Sequence, residues 1–135
     1  MITKIEMFPR IETPAEGVTL QWIYDRAKAH LLKQNARSVD GNPENISATC
    51  MYRSADGKYA CAAGCFIADG QYASEIESSP SHGVEITSRI EASIGRLPEK
   101  GRALIRKLQE MHDELLPGSW PHRLPEIARL YELHP

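Results

Sequence analysis

Thr49-Cys50-Met51-Tyr52-Arg53-Ser54-Ala55-Asp56-Gly57-Lys58-Tyr59-Ala60-Cys61-Ala62-Ala63-Gly64-Cys65-Phe66-Ile67 decides how this chain is read. Residues 49–53 suit a short strand. Residues 54–57 supply a turn, because Gly57 tolerates positive φ. Residues 59–67 are uncharged and rich in small side chains, so they form a buried return strand over which a helix can pack closely. The pattern leaves open whether that return stays extended or coils at residues 62–64.

Outward from this hairpin, the N-terminal side divides at residue 17. Residues 1–17 read as an extended arm, with alternation at Thr3-Lys4-Ile5-Glu6-Met7 giving one edge strand and Pro9 and Pro14 punctuating it. Thr19 is placed to cap a helix in which Leu20, Ile23, Ala27 and Leu31 recur on one face, ending near Gln34. A loop follows, with its sharpest turn at Asp40-Gly41-Asn42-Pro43.

On the C-terminal side, residues 72–77 suit one helical turn. Ile86, Ile90 and Ile94 step by four and mark a second helix, stopped by Gly95. A third runs from about Pro98 to Leu116, with Leu104, Leu108 and Met111 inward. A last helix reaches Leu133, with Trp120-Pro121 as an anchor at its start and Leu124, Ile127, Leu130 and Tyr131 inward. The expectation is one α+β domain over residues 18–135. A small antiparallel sheet, made of the N-terminal strand and the central hairpin, packs against about four helices.

Composition bounds the function. The 135 residues carry 16 Lys+Arg against 18 Asp+Glu, a net charge of −2, with 41% hydrophobic and 25% charged residues. These values exclude a disordered chain and a disulfide-stapled miniprotein. They argue against DNA as a partner, since a dedicated nucleic-acid binder is strongly basic. No window of about 18 uncharged apolar residues offers a membrane span. The opening residues carry charge where a signal peptide has an apolar run, so a cytoplasmic location is expected. Three cysteines, an odd number, do not make a disulfide framework in a reducing compartment.

Several constellations invite chemistry. Cys50, Cys61, Cys65 and His82 could supply four zinc ligands, but the Cys61/Cys65 spacing is poor for a zinc knuckle. Cys61 or Cys65 beside His82 or His112 could be drawn as a nucleophile and base, although apolar surroundings blunt a thiol. His112-Asp113 suggests acid–base work, yet His112 borders an inner helix face and His30 does the same on the first helix. Phosphate-loop, dinucleotide and nucleophile-elbow motifs are lacking. No cofactor and no metal is expected, and the pattern leans away from an enzyme.

Charge distribution says more than the total. Residues 66–85 hold four acids and no Lys or Arg, whereas residues 86–107 hold six bases against two acids. Arg102 and Arg106 lie one helical turn apart, and paired guanidinium forks grip phosphate or carboxylate. The expected anion site therefore comprises Arg102 and Arg106, with Arg53 as a third donor and Tyr52, Tyr72 or Trp22 stacking on a ring. The competing reading is a solvated helix face that pairs internally with the acidic stretch, or with Glu110 four residues after Arg106.

The central stretch also resembles a motif of small accessory proteins from tailed bacteriophages and prophages. The residues that carry it are Cys50-Met51-Tyr52-Arg53, Asp56-Gly57, Cys61-Ala62-Ala63-Gly64-Cys65-Phe66-Ile67-Ala68-Asp69 and Tyr72. In those proteins a strand ending in Tyr-Arg leads through Asp-Gly into Cys-Ala-x-Gly-Cys-x-Ile-Pro-Asp and a Tyr. Ala68 stands where that motif has Pro, which loosens the turn into Asp69. The likeness covers most of residues 18–133 and brings no catalytic residues with it. It implies a non-catalytic binder acting in the host cytoplasm against a host defence system. Such a protein either sequesters a small anionic, nucleotide-derived signal or blocks a host protein. A homo-oligomer is a further expectation, since a small domain has little room for a deep pocket. A small His/Cys hydrolase or zinc protein is the alternative from another class.

Overall fold

The computed structural model describes residues 6–135. Among the described residues there are four α-helices: α1 (Leu20–Gln34), α2 (Val84–Ile94), α3 (Gly101–Glu114) and α4 (Trp120–Leu130). Thr19 caps α1, its Oγ1 accepting from the Trp22 backbone N–H at 3.1 Å. Asn35, at φ 49°, closes the helix in the left-handed conformation. The apolar stripe of α1, Ile23, Tyr24, Ala27 and Leu31, is buried against α3 and α4. Leu104, Leu108 and Met111 of α3 and Trp120, Leu124 and Ile127 of α4 complete that core. The Ile86/Ile90/Ile94 stripe of α2 belongs to the same cluster and packs against the turns at Gly64–Phe66 and Asp69–Gln71. Among the described residues, no helix is long and apolar enough to cross a membrane.

Among the described residues the expected antiparallel sheet does not form, so the α+β expectation is corrected to a helical domain. Among the described residues, pairing is confined to two isolated antiparallel bridges, Val39 with Cys50 and Arg53 with Ala60. The expected edge strand at residues 3–7 lies mostly outside the described residues, and Glu6 and Met7 are irregular. The turn at residues 54–57 is present, with the Ser54 N–H donating to the Tyr59 carbonyl at 3.0 Å. Past Cys61 the return coils: the Cys65 N–H reaches the Cys61 carbonyl at 3.1 Å, and a 3-10 turn spans Gly64–Phe66.

Side chains replace the missing ladder. A buried backbone must find partners somewhere. The Ala60 N–H donates to Gln34 Oε1 at 3.0 Å, and the Ala63 N–H to Gln109 Oε1 at 2.8 Å. The Ala68 N–H donates to Ser93 Oγ at 2.9 Å. The Tyr52 and Arg53 N–H groups share the two carboxylate oxygens of Glu77, at 2.9 and 3.1 Å. Each bond ties the central segment to another part of the chain, so the helices act as the neighbours that strands would have been.

His30 belongs to this scaffold. Its Nε2–H donates to the Ala60 carbonyl at 2.8 Å. Burial holds its pKa below the ordinary value near 6.5, opposed by the bond to Ala60 and aided by Arg26 and His112. The folded state therefore favours neutral His30. Its contribution to stability is complete above the unfolded pKa of about 6.5 and is lost as the pH falls from there through the depressed folded value. Urea midpoints measured between pH 7.5 and 5 should decline more steeply in the wild type than in His30→Gln. Equal slopes would remove His30 as the titrating group.

Candidate functional site: a cation-lined groove along the third helix

Helix α3 presents a strongly two-sided surface. Leu104, Ile105, Leu108 and Met111 face the core, which leaves Arg102, Ala103, Arg106, Lys107 and Glu110 on the opposite side. A groove of about 590 Å³ runs along that outer side, with His82 and Tyr131 as further walls and Lys100 at its head. Its volume lies within the range usual for small-ligand sites, about 300–1,000 Å³. Four cations and one carboxylate therefore line a single depression.

The cations are not equally free. Arg102 is fixed by the His82 carbonyl, which accepts from Nε at 2.8 Å and also from Nη2. That clamp leaves its remaining N–H groups directed away from the bond. Arg106 and Lys107 approach Glu110 at 3.4 and 3.6 Å, long contacts between exposed side chains. Such pairs contribute little and exchange partners readily. Lys100 immediately precedes α3 with φ 68°, a left-handed conformation unusual for lysine. The first turn of α3 carries no acidic residue and no side-chain cap, so its positive end is not neutralised locally.

The structure brings Arg102 and Arg106 together in the groove but sends the other expected site residues elsewhere. Arg53 is buried, pairing with Asp69 at 2.5 Å and donating to the Ile67 carbonyl at 2.6 Å. Its guanidinium lies 5.6 Å from the Phe8 ring and 5.0 Å from the Tyr72 ring. Tyr72 donates to Glu77 at 2.6 Å, and the Tyr52 hydroxyl donates to the Ser79 carbonyl. Trp22 leans on Phe66 and on Arg26, away from α3's outer face. Arg53, Tyr52 and Tyr72 thus serve as cross-links of the central segment. Lys100, Lys107 and Tyr131 are groove residues that were not expected. The two lysines sat in the basic stretch already noted, whereas no local pattern joins Tyr131 to it.

The cysteines and histidines are arranged for structure. Cys50 Sγ, a His112 ring nitrogen and an Asp113 oxygen lie within 4.8 Å of one another. The Ser38 N–H points at His112 Nε2 at 2.9 Å, and that nitrogen must therefore carry the lone pair. The ring proton sits on Nδ1 and is donated to Asp113 Oδ1 at 2.8 Å. Both nitrogens are thus used. A metal on Nδ1 would force a proton onto Nε2, against a backbone donor, so this trio does not fit an ion. The same wiring leaves no imidazole lone pair to serve Cys50. Burial, with Asp113 beside it, pushes that thiol up to about 12 despite Arg37. Burial also raises Cys61, which accepts from the Gly64 N–H, and lifts Cys65 to about 12. His82, the fourth ligand of the zinc arrangement considered above, lies in the groove wall.

No family model matches this chain, and no curated protein or solved structure matches it either.

Proposed function

We propose that this chain is a non-catalytic binding protein of phage type that holds a small, nucleotide-derived anion in the α3 groove and so withholds that signal from a host defence system. The observation that carries the proposal is the convergence of Lys100, Arg102, Arg106 and Lys107 on one ligand-sized depression. The clamp on Arg102 supports it, because a pre-oriented guanidinium loses less freedom when it grips an anion. The left-handed backbone at Lys100 supports it too, since strain of this kind gathers at binding sites. The resemblance of residues 50–72 to phage accessory proteins supplies the biological setting. Mixed charge around the groove favours a compact ligand over a nucleic-acid track.

Calorimetry with cyclic and ADP-ribose-type nucleotides tests the proposal. At least one should bind, more weakly as salt rises. The Arg102→Glu/Arg106→Glu double variant should lose about 100-fold or more in affinity, since each lost charged hydrogen bond costs about 1.5–3 kcal/mol. Its thermal midpoint should stay near wild type, because both side chains are exposed. No heat from any nucleotide, together with a tight complex with a host protein, would replace this proposal with protein blocking.

A further inference from the structure

We infer that the ligand of the α3 groove is a guanosine monophosphate-type nucleotide, seated with its phosphate at Lys100 and Arg102 and its guanine between Tyr131 and Glu110. The inference rests on the anion-binding proposal above and adds orientation and base identity.

The groove is electrically graded along its length. All of its charged walls lie on or just before α3, so they follow the helix order: Lys100 and Arg102 first, Arg106 and Lys107 next, and Glu110 last. Arg102 and Glu110 are eight helical positions apart, roughly 12 Å at 1.5 Å per residue. A free phosphate needs only the head. A polyphosphate or a nucleic-acid strand would run its charge onto Glu110. The gradient suits a molecule with one compact anionic end and one neutral end that donates hydrogen bonds.

Glu110 has no other strong commitment. Its contacts with Arg106 and Lys107 are long and solvent-exposed. Turning it toward a ligand costs little, because such exposed pairs contribute little. A carboxylate offers two acceptor oxygens side by side and no donor. Guanine presents N1–H and the 2-amino N–H side by side, which satisfies both. Adenine and cytosine offer one amino group next to a ring acceptor, and uracil flanks its N–H with two carbonyls. Tyr131 lines the same groove and stands close enough to Glu110 for the carboxylate to raise its phenol pKa, after burial. Its ring supplies a stacking face that any base can use.

Equilibrium dialysis at low salt with GMP, UMP, guanosine and inorganic phosphate distinguishes the possibilities. GMP should bind at least about tenfold more tightly than UMP or phosphate, the margin of one good charged hydrogen bond. Glu110→Gln should bring GMP down to the UMP level. Tyr131→Ala should weaken both nucleotides about tenfold or more and leave phosphate alone, while Tyr131→Phe retains nucleotide binding. Thermal melts confirm that each variant is folded. If GMP, UMP and phosphate bind equally, and Arg102→Glu/Arg106→Glu abolishes all three, the anion groove stands and the guanine assignment falls. If UMP binds as well as GMP but phosphate does not, the base identity falls alone. If none binds, this inference falls, and the groove proposal falls with it only if the cyclic and ADP-ribose-type nucleotides also give no heat.

Discussion

Arg37→Met should cost about 3–5 kcal/mol of folding stability, because it strips a buried guanidinium from three backbone carbonyls and each hydrogen bond to a charged group is worth about 1.5–3 kcal/mol. Arg37 is 1% exposed. Its Nε donates to the His112 carbonyl at 3.1 Å and its Nη2 to the Asp113 carbonyl at 2.8 Å. Both carbonyls belong to the last turn of α3, where helical geometry leaves acceptors unpaired and the dipole is negative. Arg37 thus caps α3 from outside the helix. Its Nη1 also holds the Asn45 carbonyl at 3.0 Å, and Nη2 lies 3.1 Å from Cys50 Sγ. One guanidinium therefore fastens the loop after α1 to the end of α3, beside the Ser38–His112 bond. Methionine nearly fills the volume but donates nothing. Three carbonyls lose their donor, at about 1–3 kcal/mol for each left dry, and partial access of water keeps the total below that sum. Lysine keeps the charge but not the fork, so Arg37→Lys should recover only part of the loss. Urea midpoints at constant slope give the difference. A loss under about 1 kcal/mol in Arg37→Met would mean that water replaces the guanidinium.

Arg37 also shows why part of this molecule was legible in the sequence and part was not. The helices announced themselves because their signals are local. Thr19 before Leu20, the four-residue steps of Ile86, Ile90 and Ile94, and Gly95 directly after them need no knowledge of distant partners. Residues 59–67 misled for the opposite reason. An uncharged run after a turn looks like a strand, but its fate depends on which groups satisfy its backbone. Here Gln34 takes the Ala60 N–H and Gln109 the Ala63 N–H, while Glu77 and Ser93 take those of the flanking Tyr52, Arg53 and Ala68; these are polar residues whose positions follow no periodicity. Arg102 and Arg106 could be paired in advance because one helix carries both. Arg53 could not be placed, because its partners Asp69 and Ile67 are set by the coil that replaced the strand. Tyr131 reaches the groove only through the packing of α4 on α3.

The second large effect follows from that coil. Gly64→Ala should cost about 3 kcal/mol or abolish folding, at the upper end of what overpacking a core does. A Cβ at Gly64 would lie 2.2 Å from the Tyr52 carbonyl oxygen and 3.0 Å from its carbon. The obstacle is backbone, so no rotamer change relieves it. Nor can the Tyr52 segment retreat. Its N–H is held by Glu77, its carbonyl receives the Cys61 N–H at 3.3 Å, and its hydroxyl reaches Ser79. Moving Gly64 instead disturbs its N–H contact with Cys61 Sγ and the Ile67 N–H bond to its own carbonyl. Glycine is required here for close approach of two chain segments rather than for a positive φ, because that contact packs the central coil against the preceding arm without a sheet. Gly118→Ala provides the contrast, since a Cβ there meets nothing within 4 Å. It should change stability by no more than about 0.5 kcal/mol. Thermal and urea melts of the two variants, measured side by side, decide the matter. Comparable stability for Gly64→Ala and Gly118→Ala would mean that the coil can spread apart, and that the backbone N–H bonds to Gln34, Gln109, Glu77 and Ser93 hold the central segment without the Gly64–Tyr52 contact.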